Sequence, residues 1–196
     1  MKKVIVIIFG LILAVSALFA SEDANTILLR GAKTGDITLV ENALQAGADV
    51  NAAAANDGAT ALMGASAAGH IAVVKLLIAK GANVHTKAND GATALMWASM
   101  KGHIAVVKLL IAKGANVHTK DNDGFTALMG ASMQGHFAVV KLLIEKGADV
   151  HAKTNNGRTA LEFASEKGHI AVVTFLIAKG TNVHAKDNDG FTALMG

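Results

Sequence analysis

Histidine and serine are the residue types in this sequence whose spacing could do chemistry. All eight histidines of the chain fall into two regularly spaced series. In the first series a serine stands four residues before each histidine. A serine beside a histidine is the core of many hydrolytic sites, and clustered imidazoles bind zinc. The series are His70, His103, His136 and His169, preceded by Ser66, Ser99, Ser132 and Ser165, and then His85, His118, His151 and His184.

Repetition weakens both chemical interpretations. Equivalent residues in stacked units lie about 8–10 Å apart, whereas each ligand of a zinc ion lies about 2.0–2.1 Å from the metal. A catalytic serine and histidine form one unique constellation with an oxyanion pocket, and here the same pair recurs in four units. We therefore expect no catalytic residue, no metal and no cofactor. The alternative for the histidines is a weak response to pH or zinc.

Glycine marks the elements that carry these residues. Fifteen of the 20 glycines occupy three recurring positions, and the Asp-Gly or Asn-Gly position steps by 33 residues. A fixed period of this length is typical of a solenoid, in which one supersecondary unit stacks on the next. The three series are Gly58, Gly91, Gly124, Gly157 and Gly190; Gly35, Gly69, Gly102, Gly135 and Gly168; and Gly47, Gly81, Gly114, Gly147 and Gly180.

The unit from Ala88 to Lys120 shows what is repeated. Asn-Asp-Gly at 89–91 predicts a tight turn, and Thr93 is an N-cap candidate for a short helix from Ala94 to Met100. Gly102 ends this helix, and a second helix is predicted over about residues 104–113. One such helix pair cannot bury both of its apolar faces, so neighbouring units must stack.

The motif in each unit resembles the ankyrin repeat. In residues 121–153 it reads DGFTALM at 123–129, GHFAVVKLLI at 135–144 and GADV at 147–150. The resemblance implies an all-α repeat solenoid, with stacked helix-turn-helix ankyrin repeats and short β-hairpin extensions. It also implies a protein-protein interaction module, not an enzyme, that binds through its concave groove and hairpin tips.

The sequence departs from the family pattern at the start of each first helix. The family's Thr-Pro-Leu-His reads Thr-Ala-Leu-Met at residues 60–63 and three other places, and Thr-Ala-Leu-Glu at 159–162. Alanine is a good helix former, so the loss of proline should cost little. The loss of histidine removes a polar anchor, and we expect the methionine in its place only to pack.

The period divides the chain into seven segments. Residues 187–196 repeat residues 121–130 letter for letter and then stop, so we expect this stub to fray or to be covered by a partner. The segments are a signal peptide at 1–20, an N-terminal ankyrin-like repeat at 21–54, ankyrin repeats at 55–87, 88–120, 121–153 and 154–186, and the truncated stub at 187–196.

Residues 1–20 have the pattern of an export signal. Lys2 and Lys3 precede an apolar run from Val4 to Val15, and small residues lead to a predicted cleavage after Ala20. Cleavage after Ala17 and an uncleaved anchor are the alternatives. This pattern predicts a periplasmic or secreted bacterial protein that has no contact with the membrane after cleavage.

Charge and cysteine content exclude several functions. The chain has 18 Lys+Arg and 15 Asp+Glu, so removal of the two lysines in residues 1–20 leaves 16 − 15 = +1. With so little net positive charge we expect no nucleic-acid partner. The absence of cysteine excludes disulfides and Cys-ligated metal sites.

The positions that differ between units indicate where a partner binds. In the ankyrin pattern, the residue after the turn glycine and the pair that ends the first helix face the concave groove. Exposed aromatic and methionine side chains beside arginine are typical of protein-binding hot spots. The partner-binding candidates are Phe125, Arg158, Met100, Lys101, Met133, Gln134, Glu166, Lys167 and Phe191.

A third variable position alternates between small and large residues. It holds Gly64, Trp97, Gly130 and Phe163 in successive units. The alternation favours a packing role, in which Trp97 and Phe163 fill the room that the glycines leave in neighbouring units.

These patterns predict an exported ankyrin-repeat protein that binds an unknown protein partner. The resemblance implies two finer versions, both of which stay open: support of a periplasmic enzyme, for example in peroxide defence, and an immunity partner that neutralises a toxin. The third alternative is a self-assembling structural protein, in which Phe191, Leu194 and Met195 of the stub stack against another chain.

Overall fold

The computed structural model describes residues 22–193 and Met195, and this part of the chain contains ten helices arranged in pairs. The predicted signal peptide and Leu194 lie outside the described residues. The first helices of the pairs are α1 (Ala24–Thr34), α3 (Ala61–Ala68), α5 (Ala94–Met100), α7 (Ala127–Met133) and α9 (Ala160–Glu166). The second helices are α2 (Ile37–Gln45), α4 (Ile71–Ala79), α6 (Ile104–Ala112), α8 (Phe137–Glu145) and α10 (Ile170–Ala178).

From the second repeat on, each first helix follows a threonine, whereas α1 follows Asp23. A glycine stands directly after each first helix or one residue further on. In α5 the Thr93 hydroxyl accepts a hydrogen bond from the Met96 N–H at 3.4 Å, as the N-cap prediction requires. Lys101 follows the helix, and Gly102 then adopts φ = +75° and reverses the chain toward α6. The helix bounds predicted for this unit are confirmed to within one residue.

The core is a row of leucines from successive repeats. Each first helix packs against its own second helix and against the first helices of the neighbouring repeats. Leu62, Leu95 and Leu128 are each 1% exposed, and Leu77, Leu110 and Leu143 of the second helices are fully buried. Burial of one leucine contributes about 1.5–3 kcal/mol. The stack therefore confirms the predicted all-α solenoid.

Histidine rings connect each repeat to the preceding one. His136 is the N-cap residue of α8, but its side chain does not cap this helix. Its Nε2 instead donates to the backbone carbonyl of Met100, one repeat earlier, at 3.1 Å. The ring lies against Gly102, where an added Cβ would be 2.6 Å from His136 Nδ1. His70, His103 and His169 make the same contact with Lys33, Ala67 and Met133 and lie against Gly35, Gly69 and Gly135.

The loops between repeats are tied by two hydrogen-bond series that run in opposite directions. Asn122 donates from its backbone N–H to the Asp90 carbonyl at 2.9 Å, and from Nδ2 to the Asn89 carbonyl at 3.0 Å, both in the preceding repeat. Lys120 donates from Nζ to the carbonyl of Lys153 in the following repeat at 2.9 Å. These bonds hold neighbouring loops at one spacing along the stack.

The β-hairpin extensions are smaller than the family resemblance predicts. In the described residues, each is closed at most by a single antiparallel bridge, as between Lys120 and Thr126. The extensions are therefore tight turns whose order comes from the loop-to-loop hydrogen bonds.

The last helix pair carries exposed apolar side chains. Ile170 and Ile177 of α10 are 78% and 43% exposed, and Phe191 and Met195 of the stub are 59% and 65% exposed.

None of the helices that the structure describes is long and apolar enough to cross a membrane.

The contact between His136 and Gly102 gives a testable pair of substitutions. Gly102 and Gly114 have φ = +75° and +91°, so Gly102→Ala and Gly114→Ala each cost about 1–2 kcal/mol of backbone strain. Only the new Cβ at position 102 meets the His136 ring, because position 114 faces open space. We expect urea unfolding to show a loss about 1 kcal/mol or more larger for Gly102→Ala. Equal losses would mean that the ring contact does not stabilise the stack.

Candidate protein-binding surface

In the ankyrin pattern, the concave face consists of the C-terminal ends of the first helices and the loops that precede them. The predicted partner-binding residues all lie on these two elements. Met100, Met133 and Glu166 end α5, α7 and α9, and Lys101, Gln134 and Lys167 follow directly. Phe125, Arg158 and Phe191 each follow a turn glycine with positive φ.

The structure joins four of these residues into a cluster with Phe163. The rings of Phe125 and Phe163 meet edge to face with centroids 5.3 Å apart. The Arg158 guanidinium lies 4.2 Å from the Phe163 ring centroid, within cation–π range, and pairs with the Glu166 carboxylate. Lys167 Nζ bonds the other Glu166 oxygen at 3.0 Å. We call Phe125, Phe163, Arg158, Glu166 and Lys167 the aromatic–arginine cluster.

The charged members of this cluster are accessible to solvent. The Lys167 ammonium and the Arg158 guanidinium, in this order of importance, lower the pKa of Glu166 below its ordinary value. The side chains of Arg158, Glu166 and Lys167 are 33%, 43% and 50% exposed. Ion pairs this exposed add about 0–1 kcal/mol to stability. Because these side chains are also accessible, they are available to a partner.

The room above Gly130 is filled differently from the prediction. A Cβ at Gly130 would lie 3.2 Å from Met100 Cβ and 3.3 Å from Phe125 Cε1, so Met100 and Phe125, and not Phe163, are its nearest neighbours. The residue after the turn glycine therefore packs over the small position. The sequence pattern did not reveal this, because the sizes of the residues do not show which neighbouring repeat each side chain points toward.

The corresponding room beside Gly64 is open, so the prediction that Trp97 fills it is wrong. A groove of about 500 Å³ lies there, with Trp97 on one side and Ala59, Ala67 and Ala68 around it. Ala59 stands where Phe125 stands in the later repeat, and its methyl group is too small to cover the tryptophan. Lys33, Asp57 and Asp90 supply the charged lining. We call this hollow the Trp97 groove.

Glu162 is an acid whose burial the sequence did not reveal. It is 6% exposed, its Oε2 accepts from the Thr159 N–H at 3.1 Å, and its Oε1 has no hydrogen-bond partner. Burial is the main cause that raises the pKa of Glu162, and the Asp187 carboxylate adds to it. The substitution of Glu for the usual methionine was the available signal.

In one repeat, the methionine at the position of Glu162 makes a hydrogen bond as well as packing. Met63 Sδ accepts from the Thr60 N–H at 3.4 Å while the Thr60 hydroxyl accepts from the Met63 N–H. This weak sulfur contact completes a capping box, so the expectation that methionine only packs is wrong for Met63.

A second, smaller hollow lies beside the stub. Its volume is about 280 Å³, and Arg158, Glu162, Phe191 and Met195 are among its lining residues. Phe191 therefore lies next to the aromatic–arginine cluster but is not packed into it.

In three of the four Ser–His pairs, the serine is not bonded to the histidine. Ser66, Ser99 and Ser132 are fully buried, and their hydroxyls have no hydrogen-bond partner, so none is bonded to a histidine. His85, His118, His151 and His184 are exposed on the extensions. In the part of the chain that the structure describes, no group of three or more His, Asp or Glu side chains could hold a metal ion.

Comparison with protein families agrees with this architecture. The family model described as ankyrin repeats (3 copies) matches residues 8–88, 28–121, 81–154 and 114–187. These matches span most of the chain, so the chain belongs to the ankyrin-repeat family. The family is a non-enzymatic fold whose members generally act as protein-protein interaction modules. Among curated proteins, no significant match to this chain is found.

Glu162 and Glu166 should give opposite effects of pH on stability. Because burial raises the folded-state pKa of Glu162, its contribution is present below the unfolded value near 4.5 and is lost as pH rises through the folded-state pKa. Glu162→Gln keeps an acceptor for Thr159 without the buried charge. We expect it to raise the melting temperature at pH 7, with the gain disappearing toward pH 4.

Glu166→Gln is the matched control for this prediction. Its folded-state pKa is lowered, so its contribution is present above the unfolded value and is lost as pH falls. We expect a loss of about 0–1 kcal/mol at pH 7 that shrinks on acidification. Thermal melts of both variants between pH 4 and pH 7 test the pair, and gains or losses independent of pH would refute the assigned charge effects.

Proposed function

We propose that this chain binds a protein partner through its concave face, with the aromatic–arginine cluster at the centre of the contact. The observation that carries this proposal is the position of Phe125, Arg158 and Phe163 together on that face, where the repeats otherwise differ most. Aromatic rings beside arginine supply a large share of the binding energy in protein interfaces. Their mutual packing fixes their conformations, so a partner meets a preorganised surface at a low entropic cost.

The opposite side of the stack offers a useful contrast. Lys75, Lys108 and Lys141 recur at one position of the second helices and are exposed. Their regular repetition is that of a solvated face, which carries no information specific to one partner. The concave face combines variable residues with rigid support, and it is therefore the better candidate.

The proposal includes export, for which residues 1–20 provide the support. A basic start, an apolar run and small residues before Ser21 are typical of a cleaved signal. In this form the protein works in the periplasm or outside a bacterial cell. Its partner is an enzyme that it supports, as in peroxide defence, or a toxin that it neutralises.

Affinity capture with charge-reversed variants tests the proposal. The chain carries a C-terminal tag and is recovered from envelope and medium fractions, and mass spectrometry identifies both its N-terminus and the captured protein. Lys101→Glu with Lys167→Glu changes the concave face, and Lys75→Glu with Lys108→Glu makes the same charge change on the second helices. We expect the first pair to reduce capture by about tenfold and the second to leave it unchanged.

The identity of the captured protein separates the enzyme-supporting version from the immunity version. Equal capture by both variant pairs would overturn the concave-face proposal. An N-terminus at Met1 in every fraction would overturn the proposed cleavage.

The exposed side chains of the last repeat favour a second candidate function, which is self-association. Ile170 is 78% exposed and lies close in sequence to the exposed Ile177, and Phe191 and Met195 are exposed as well. Exposed apolar side chains of this kind are typical of an interface between copies of a chain. In this candidate the stub region packs against the same region of a second copy.

Light scattering tests self-association. We expect the chain to be dimeric at micromolar concentration and Ile170→Lys to be monomeric, because a lysine at this exposed position opposes burial without disturbing the fold. Ala105→Lys on the exposed side of α6 is the control and should remain dimeric. A wild-type chain that is monomeric at every concentration would exclude this candidate.

A further inference from the structure

The repeats contain two versions of the same inter-repeat space, one filled and one open. In the filled version Phe125 packs against Phe163 at 5.3 Å, and the Arg158 guanidinium lies 4.2 Å from the Phe163 ring. In the open version Trp97 stands at the position of Phe163. Ala59 and Ala92 stand at the positions of Phe125 and Arg158.

The glycines show that the open space can accept a ring. Gly130 lets the Phe125 ring approach to 3.3 Å from where a Cβ would lie. Gly64 is the equivalent residue, and the nearest atoms to a Cβ there are those of Lys33 at 3.9 Å. The Trp97 groove therefore has the room for an aromatic side chain that its own repeat does not supply.

The charges around the groove indicate what should accompany this ring. Asp57 and Asp90 lie on the loop side, and the Asn89 N–H bonds the Asp57 carbonyl at 2.9 Å, which keeps the two loops adjacent. Each aspartate uses Oδ1 for a turn, accepting from Ala59 and Ala92 respectively, and both residues are exposed. Lys33 lies on the helix side of the groove. The loop side is therefore acidic and suits a cation.

We propose that the Trp97 groove receives an aromatic side chain of the protein partner together with an adjacent arginine or lysine. The ring takes the place that Phe125 has in the filled space, and the cation lies over Trp97 as Arg158 lies over Phe163, next to Asp57 and Asp90. This inference rests on the proposed protein-binding function and names the chemistry of the partner's contact segment. A cation over tryptophan contributes about 0.5–2 kcal/mol, and burial of the ring adds to it.

The single tryptophan of the chain makes the test direct, because Trp97 fluorescence reports on the groove alone. The probes are three capped tetrapeptides: Gly-Phe-Arg-Gly, Gly-Phe-Glu-Gly and Gly-Ala-Arg-Gly. We expect saturable binding of the Phe-Arg peptide in the millimolar range. Gly-Ala-Arg-Gly, which lacks the ring, and Gly-Phe-Glu-Gly, which has glutamate in place of arginine, should each bind about tenfold more weakly.

Two variants identify the groove as the binding site. Ala59→Phe supplies the ring from the chain itself, copying Phe125, and should reduce binding of the Phe-Arg peptide at least about tenfold. Ala105→Phe makes the same exchange on the exposed side of α6 and should have no effect. Asp57→Asn with Asp90→Asn keeps the turn hydrogen bonds and should abolish the preference for arginine over glutamate. Thermal melts establish that each variant is folded.

The outcomes separate this inference from the proposed function. The groove proposal is overturned if the Phe-Arg peptide gives no saturable change up to about 10 mM, or if Ala59→Phe binds it as wild type does. If Ala59→Phe captures the partner as well as wild type while Lys101→Glu with Lys167→Glu does not, the groove proposal fails and the concave-face function stands. Peptide binding without any protein captured would support the groove and overturn the function.

Discussion

Each repeat rests on the preceding one through a histidine ring that lies against a glycine. The ring of His136 occupies the space where a Cβ of Gly102 would be, and its Nε2 bonds the Met100 carbonyl. This contact needs a close approach of neighbouring helix pairs, so it limits the step of the stack. The buried leucines supply most of the free energy, since apolar burial dominates folding. The histidine and the loop hydrogen bonds determine the register in which that burial occurs.

A fixed register has a direct consequence for binding. Residues 33 positions apart become neighbours on the predicted concave face. The effect of a substitution at one position therefore depends on the equivalent residues in the repeats on both sides. Where Phe125 and Arg158 flank Phe163, the space is filled and the side chains support one another. Where alanines flank Trp97, the same backbone leaves a groove. One scaffold thus presents a filled, charged space between two repeats and an open groove with an acidic side between two others.

The structure tolerates several buried polar groups whose hydrogen bonding is incomplete. The hydroxyls of Ser66, Ser99 and Ser132 are buried without a partner, and Glu162 is buried with one oxygen unsatisfied. Each such group costs about 1–3 kcal/mol, and the extended leucine row offsets this cost. Glu162 differs from the serines because it lies at the hollow beside Arg158 and the stub, at the end of the last complete helix pair. Its raised pKa makes the contribution of Glu162 to stability depend on pH.

The sequence by itself determined the elements and their period. Glycine spacing gave the repeat, Thr93 and Gly102 gave the limits of α5, and the motif in residues 121–153 identified the family, because these signals are local to one unit. Through the family resemblance, it also predicted that the variable residues face the concave groove. The tertiary structure alone decided that Phe125 covers Gly130, that the space beside Gly64 stays open, and that Glu162 is buried. These facts depend on distances between side chains of adjacent repeats, and only the packed stack sets those distances.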